Sequence, residues 1–202
     1  MSVTTEHWQR SLELEFWSKG KERSLIRITA PKKEQDTATL RSGNDLWNFL
    51  PKVKRVVKLP SSMLGASWMG SHFSNDDLVK DSRMADDYAL SISFRGVRDG
   101  AEVIEVTGIP HPDAAVVWGK VVVEVLAADR MPRAIGYYDE QMKLARTLTY
   151  HDVAALGGRR LPTRMSMQPA DETAESTEVL WLEIAFDVDL PDEMFSLRSL
   201  QQ

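Results

Sequence analysis

Hydrophobic and polar residues alternate along most of this chain with a period of two, which places neighbouring side chains on opposite faces of a β-strand. Leu12, Leu14 and Phe16 fall on one face, and a second run begins at Leu25 after a turn that ends at Gly20. Further alternating runs cover 46–50, 53–59, 88–95, 102–109, 144–150, 164–168 and 180–189. Together they predict about ten or eleven strands in a curved, meandering antiparallel sheet.

The run from Ala115 to Ala127 differs from the others because one of its faces carries only small apolar residues. A strand over this run would be roughly 40 Å long, with Gly119 as a bend point. Because small side chains leave space above a sheet, this face predicts an apolar cavity that larger residues from facing strands complete. The predicted lining residues are Val117, Val121, Val123, Val125, Leu182, Ile184 and Phe186.

Helical pattern is scarce, and 61–86 is the one sizeable break in the strand rhythm. Ser74 is placed to cap a helix whose first turn contains Asp76 and Asp77, where carboxylates are favoured. A short helical turn is also expected over 191–195. No repeat or linker divides the chain, so a single domain over 1–202 is expected, mostly β, with a small helical lid.

The segment from Ser61 to Leu78 combines large apolar residues with glycine and serine. Gly65 and Gly70 lower the cost of backbone rearrangement, and methionine with aromatic residues gives adaptable apolar contact. One interpretation is a movable lid over the cavity, and the other is a fixed plug at the open end of the sheet. The apolar underside of the predicted lid is formed by Met63, Leu64, Trp68, Met69 and Phe73.

Arg55 is unusual because alternation places it on the same face as Val53 and Val57. A guanidinium on an apolar face needs acceptors, and Asp76 or Asp77 would supply them in a latch that holds the lid closed. The alternative is that this face lies at a sheet edge and that Arg55 reaches water.

A basic stripe on the opposite side of the same run consists of Lys52, Lys54 and Lys58. Such a stripe can contact anionic lipid head groups or an acidic partner. More often it is a solvated edge strand whose charges discourage aggregation. Both interpretations are open at the level of sequence.

Composition narrows the classes of function. The chain has 202 residues, 43% of them hydrophobic, and a formal net charge of −5, which disfavours a nucleic-acid partner. The absence of cysteine excludes zinc-thiolate sites, iron–sulfur clusters and thiol catalysis. No apolar run is long enough to span a bilayer, and the first residues do not form a signal peptide. Either the protein is cytoplasmic, or this sequence starts after a leader that has been removed or is not included in it.

No motif for catalysis or metal binding stands out. The histidines, His7, His72, His111 and His151, have no ligand spacing, although His72 with Asp76 and Asp77 would offer a metal an oxygen-rich site. There is no G-x-S-x-G elbow and no glycine-rich phosphate loop. A Ser–His–Asp triad stays open, but we expect no catalytic residues, no metal and no cofactor.

Three runs carry a resemblance to a known family. Leu46 to Pro51, Ser67 to Leu78 and Tyr137 to Glu140 resemble the outer-membrane lipoprotein-sorting proteins, which are similar to the LolA/LolB carriers. The resemblance covers about residues 13–200. It implies an incomplete (half) β-barrel with an apolar interior and a lid, and a non-enzymatic periplasmic carrier that shields acyl chains. That family usually begins with a leader and a helix, whereas this sequence opens on a predicted strand, so we expect those two elements to be missing or replaced.

Three functions compete on this basis. The first is a carrier whose partners are lipid or lipoprotein acyl chains and an inner-membrane transporter, and which we expect to be a monomer. The second is an interaction module that docks a transporter or envelope complex. The third is a lipid hydrolase, which would require a nucleophile hydrogen-bonded to a histidine inside the cavity.

Overall fold

The computed structural model describes residues 1–80, 84–114 and 116–201. By its internal contacts the chain divides into two compact units. The first unit comprises Met1–Ser2, Arg10–Ser82 and Asp187–Gln202, and the second comprises Val3–Gln9 and Arg83–Phe186. The expectation of a single domain stays a prediction.

The described residues form strands and short helices in the following order. They are β1 (Ser2–Thr4), β2 (Gln9–Ser11), β3 (Glu13–Lys19), β4 (Arg23–Ala30), β5 (Ala38–Ser42), β6 (Asp45–Leu50), β7 (Arg55–Lys58), α1 (Asn75–Lys80), α2 (Met84–Asp87), β8 (Tyr88–Arg98), β9 (Ala101–Pro110), β10 (Lys120–Leu126), β11 (Pro132–Tyr138), β12 (Leu144–Leu156), β13 (Arg159–Pro169) and β14 (Ser176–Leu180). Short 3₁₀ turns occur at 51–53, 61–63, 68–70, 192–195 and 199–201.

The first unit is built on a five-stranded antiparallel sheet in the order β3-β4-β5-β6-β7. Its first hairpin turns at Gly20, whose φ of 63° suits glycine. One face of the sheet packs on the C-terminal 3₁₀ turns through Phe195 and Leu200. The other members of this core are Leu25, Ala38, Leu40 and Phe49.

The second unit contains most of a nine-stranded sheet in the order β2-β1-β14-β13-β12-β11-β10-β9-β8. From β8 to β14 each strand pairs antiparallel with its sequence neighbour. Asp99 and Gly100 join β8 to β9 with φ values of 50° and 76°, which are the left-handed angles of a two-residue hairpin. The predicted Asp-Gly turn is therefore confirmed.

The predicted fold class is confirmed. Strands account for 52% of the structure, the two helices among the described residues are short, and the strands form two sheets. The helix start is also as predicted, because the backbone N–H of Asp77 donates to Ser74 Oγ and Ser74 N–H donates to the Asp77 carboxylate. This reciprocal arrangement is a capping box.

Two strand predictions are wrong in extent. The strand predicted over 115–127 begins at Lys120, and Ala115 lies outside the described residues. Gly119 is a point of close approach, since a Cβ atom there would lie 2.5 Å from the Asp139 carbonyl oxygen. The strand predicted over 180–189 ends at Leu180, after which Trp181 donates one more hydrogen bond to Thr163. Alternation predicts two faces of an extended chain. A strand also needs the free edge of a neighbouring strand to pair with, and alternation does not show whether such an edge is present.

Candidate functional site

One face of the nine-stranded sheet carries a row of apolar side chains that crosses from β8 to β14. We call this side of the sheet the apolar face. The register aligns each residue of the row with the next across the strands, and the row ends at Thr177 of β14. Its apolar members are Ile92, Val106, Val123, Ile135, Leu148 and Met167.

Exposure changes steadily along this row. Met167 is fully buried, and Ile135 and Leu148 are also buried. Val123 and Val106 are half-buried, and Ile92 in the edge strand β8 is 60% exposed. The buried part of the row, Ile135, Leu148 and Met167, therefore continues into apolar side chains that contact water at the β8 edge of the sheet.

A second row on the same face includes a buried cation. Val121 lies opposite Tyr137, and Tyr137 lies opposite Arg146. The Arg146 guanidinium is 4.5 Å from the ring centroid of Trp118 and 4.7 Å from that of Tyr137. The two rings supply cation–π contacts, which lower the cost of holding the charge in an apolar surface.

The predicted cavity residues divide into two groups. Val121, Val123 and Val125 of β10 share the apolar face, and Val121 is buried. Val117 precedes β10 and is 39% exposed. A contact with ligand stays a prediction for all of them.

Leu182, Ile184 and Phe186 follow β14 and do not belong to a facing strand. Leu182 is 79% exposed. Ile184 and Phe186 lie beside Gly157 in the turn between β12 and β13, where the Phe186 ring is 4.2 Å from the Arg159 guanidinium. The structure thus places Ile184 and Phe186 beside the turn between β12 and β13, and none of the three residues belongs to a strand.

The segment predicted as a lid lies in the first unit and is anchored by its tryptophan. Trp68 is buried, and its Nε1–H donates to Thr39 Oγ1 of β5 at 3.1 Å. Thr39 Oγ1 in turn donates to Asn48 Oδ1 of β6 at 2.8 Å. The segment is therefore fixed to the five-stranded sheet at this point.

Hydrogen bonds also close the segment on itself. The Asn75 side-chain amide donates to the carbonyls of Met63 and Ala66, at 3.1 and 3.0 Å. Ser71 N–H donates to the Trp68 carbonyl. Of the other predicted lid residues Met63 is exposed, whereas Leu64, Met69 and Phe73 are half-buried.

The residues of the predicted latch belong to two different elements, β7 and α1. Asp77 takes part in the capping box with Ser74, and Asp76 is buried in the first turn of α1. Arg55 begins β7, the last strand of its sheet, and its side chain is exposed. This placement agrees with the sheet-edge alternative for Arg55, and a latch stays a prediction.

The opposite face of β8 to β10 carries a charged network. Arg98 donates to Glu105 at 2.6 Å and to Glu124 at 3.0 Å, and Arg133 bridges to Glu124 at 3.2 Å. Ser93 Oγ donates to Glu105 at 2.7 Å. The hydrogen bond from Ser93, followed by that from Arg98, lowers the pKa of Glu105. The sheet thus separates a charged face from the apolar face.

A serine–histidine pair is present on the strands β12 and β13. His151 Nε2 lies 3.0 Å from Ser166 Oγ. The register places both residues on the side of the sheet opposite Leu148 and Met167. The neighbouring Asp152 carboxylate accepts a hydrogen bond from Arg164 at 2.6 Å. The pair is therefore not on the apolar face, where a lipid hydrolase would need it.

Three solved structures of other proteins are similar to this chain in fold. A domain from Vibrio parahaemolyticus, provisionally assigned as an outer-membrane lipoprotein-sorting protein, is 22% identical, with a TM-score of 0.87 over 100% of this chain and 88% of that one. A DUF1329 family protein from Desulfovibrio piger is 23% identical, with a TM-score of 0.88 over 98% and 88% of the two chains. A LolA superfamily protein from Nitrosomonas europaea is 24% identical, with a TM-score of 0.78 over 98% and 87%.

At the level of sequence, a family model described as "Uncharacterized protein" matches residues 20–202. The chain belongs to this family. No curated protein matches the sequence. The LolA/LolB-like fold predicted from three short runs is thus confirmed.

Within this LolA/LolB-like fold, the sequence alone did not identify several residues of the apolar face. Ile92, Leu148 and Met167 lie in alternating runs that were recognised, but nothing in the runs shows which face is shared. Ile135 lies in β11, which was not predicted. The sequence feature that could have identified this strand is the alternation of Ile135 and Tyr137 with the small residues Ala134 and Gly136.

Two further features of the described residues bear on function. No group of three or more histidine or acidic side chains is arranged to hold a metal ion in the part of the chain that the structure covers. Among the same residues, no helix has the length and apolar character needed to cross a membrane.

Proposed function

We propose that this protein binds acyl chains on the apolar face and acts as a non-enzymatic carrier of acylated cargo, either lipid or lipoprotein. The observation that supports this best is the row that runs from buried Met167 to exposed Ile92. Leu90, which lies opposite Gly108 on the same face, is also exposed. An acyl chain laid across β8 and β9 would cover side chains that otherwise contact water.

The energetics suit a reversible carrier. Covering a large aliphatic side chain such as Ile92 or Leu90 contributes about 1.5–3 kcal/mol when burial is complete. Because the ligand and the protein lose translational freedom on binding, a few such contacts give moderate affinity. The buried floor formed by Ile135, Leu148 and Met167 needs no rearrangement, so cargo can be taken up and released without unfolding the sheet.

The setting of this function is also a proposal. A relative assigned to outer-membrane lipoprotein sorting and a LolA superfamily protein share the fold. By this likeness we propose a periplasmic carrier that acts as a monomer and receives its cargo from an inner-membrane transporter. The alternative is an interaction module in which the exposed end of the apolar face contacts a protein partner.

The segment at 61–78 is proposed to move when cargo binds. In the structure, movement would have to break the hydrogen bond between Trp68 and Thr39 and expose the indole ring. These losses amount to about 2–4 kcal/mol, so the closed form dominates without cargo. Hydrogen exchange of the Trp68 indole N–H, followed by NMR, tests this. We expect faster exchange after a fatty acid is added, and unchanged exchange in a saturated complex would show a fixed plug.

Native mass spectrometry combined with lipid extraction tests the carrier proposal. Protein purified without detergent is expected to retain bound fatty acid, phospholipid or lipopeptide, or to bind palmitate after delipidation. The Ile92→Asp variant should lose this binding while it stays folded. If delipidated protein binds neither palmitate nor a diacylated lipopeptide, the carrier function is wrong and the interaction module becomes the better explanation.

A further inference from the structure

A strongly basic stretch stands out in this acidic chain. The protein contains 30 aspartate and glutamate residues and has a net charge of −5, yet none of the acidic residues lies between Leu46 and Asn75. The basic residues in this interval are Lys52, Lys54, Arg55 and Lys58. They lie within residues 50–58, which we call the basic edge.

The fold displays this stretch at the border of the five-stranded sheet. β6 ends at Leu50, a 3₁₀ turn covers Pro51–Val53, and Lys54 follows with a left-handed φ of 49°. β7 then forms the last strand of the sheet. The cations are thus held by a tight turn and an edge strand.

Most of this charge has no counter-charge among the residues that the structure describes. Lys58 forms an ion pair with Asp45 at 2.7 Å and lies over the ring of Trp47. In the part of the chain that the structure describes, Lys52, Lys54 and Arg55 take part in no ion pair, and their side chains are exposed. These three residues give the basic edge a local positive field.

Apolar side chains are exposed among the same cations. Val53, at the turn, is 59% exposed, and Leu50 and Val57 are also exposed. Arg55 pairs with Leu50 and Val57 pairs with Asn48, so Leu50, Arg55 and Val57 share one face of the sheet edge. A solvated edge strand needs lysines, but it gains nothing from exposed aliphatic residues between them.

We propose that the basic edge docks the protein onto an anionic lipid surface. This inference rests on the proposed carrier function, because a carrier of acyl chains must approach a membrane to exchange cargo. Lysine and arginine attract anionic head groups, and aliphatic side chains beside them enter the interface between head groups and acyl chains. Since the rest of the molecule is acidic, repulsion elsewhere orients this edge toward the membrane.

The combination of charges and aliphatic residues favours lipid over an acidic protein. An acidic protein surface complements the cations alone and leaves Leu50, Val53 and Val57 in contact with water. A membrane interface satisfies both kinds of side chain. An acidic protein partner predicts binding that depends on charge but does not change when Val53 becomes polar.

Vesicle co-sedimentation tests the proposal. Wild-type protein should sediment with vesicles of phosphatidylglycerol and phosphatidylethanolamine, and not with vesicles of phosphatidylcholine alone. Each cation near an anionic leaflet strengthens binding about fivefold, so replacing Lys52, Lys54 and Arg55 with glutamine should weaken it about a hundredfold. Added salt should weaken binding of the wild type more than that of the variant.

A matched control replaces Lys32, Lys33 and Arg198 with glutamine, which removes the same charges from exposed positions of the same unit. This variant should keep wild-type vesicle binding. Val53→Ser should weaken vesicle binding several-fold without any change of charge. The proposal is overturned if wild-type protein does not sediment with anionic vesicles, if the control loses as much binding as the basic-edge variant, or if Val53→Ser binds as the wild type does.

These experiments distinguish a failure of the docking proposal from a failure of the proposed carrier function. Far-UV circular dichroism and thermal melting first establish that each variant is folded. A folded basic-edge variant should still bind palmitate, because none of its changes lies on the apolar face. Loss of vesicle binding with intact palmitate binding supports docking, whereas wild-type protein that binds vesicles but no acyl ligand contradicts only the carrier function.

Discussion

The indole Nε1 of Trp68 donates a buried hydrogen bond to Thr39 Oγ1, and this bond joins the segment at 61–78 to the five-stranded sheet. Phenylalanine at position 68 would remove the donor and part of the buried ring. We expect Trp68→Phe to lower the free energy of unfolding by about 1–3 kcal/mol, measured by urea denaturation. Trp8→Phe is the matched control, because Trp8 is exposed, and it should change stability by less than about 0.5 kcal/mol. Equal effects at the two positions would mean that Trp68 does not anchor the segment.

Two isoleucines on adjacent strands lie on opposite faces of the nine-stranded sheet. Ile92 is on the apolar face, whereas Ile109 of β9 is 44% exposed on the other face. Ile92→Asp should weaken palmitate binding at least tenfold, because a carboxylate would have to be desolvated under the acyl chain. Ile109→Asp introduces the same charge and should leave binding unchanged in a fluorescence titration. If the two variants bind equally, the apolar face is not the ligand site.

Gly119 allows the chain before β10 to lie against the backbone at Asp139. A Cβ atom would come within 2.5 Å of the Asp139 carbonyl oxygen, and this backbone atom cannot rotate away. Gly119→Ala is expected to lower the free energy of unfolding by about 1–3 kcal/mol or more. At Gly136 the closest atom is Tyr138 Cε2, which would lie 3.2 Å from a Cβ atom and is the far end of a side chain that can adjust. Gly136→Ala should therefore cost less in the same urea measurement, and the reverse order would contradict this account.

Glu105 should make stability depend on pH. Its pKa is lowered in the folded protein by hydrogen bonds from Ser93 and Arg98, so its contribution is fully present above its ordinary pKa of 4.5. The contribution is lost as pH falls through the lowered folded value. The difference in free energy of unfolding between wild type and Glu105→Gln should be about 1–2 kcal/mol near pH 7 and should shrink below about pH 4.5. Glu172→Gln, at an exposed position, should show no such change. A pH-independent difference for Glu105→Gln would contradict the prediction.

How much of the fold the sequence predicts depends on how local its signals are. The N-cap at Ser74 and the turn at Asp99 and Gly100 are local, and both were predicted correctly. β5 and β11 were not predicted, because Ala38–Ser42 is short and β11 includes Pro132, Ala134 and Gly136. Their place in the sheets is decided by the strands on either side.

In the candidate site, too, the local features were predicted and the long-range pairing was not. The small apolar face of β10 was recognised, and Val121, Val123 and Val125 do share the apolar face. The partners assigned to them, Leu182, Ile184 and Phe186, were inferred from alternation. Residues 181–186 form no strand, since period-two alternation requires only an extended chain. Register across four strands, which aligns Val123 with Met167, cannot be obtained from one sequence.

The edge strand β8 changes faces in its middle, and this bears on self-association. Its register shifts between Ile92 and Phe94, so Phe94 lies over the charged face beside Arg98 instead of extending the apolar row. An uninterrupted apolar edge strand of this length would be a template on which another chain could add a strand. The irregular register interrupts that template directly beside the most exposed residue of the row, Ile92. The protein can therefore present an open apolar surface at this edge while offering only short, mismatched stretches of free backbone to aggregation.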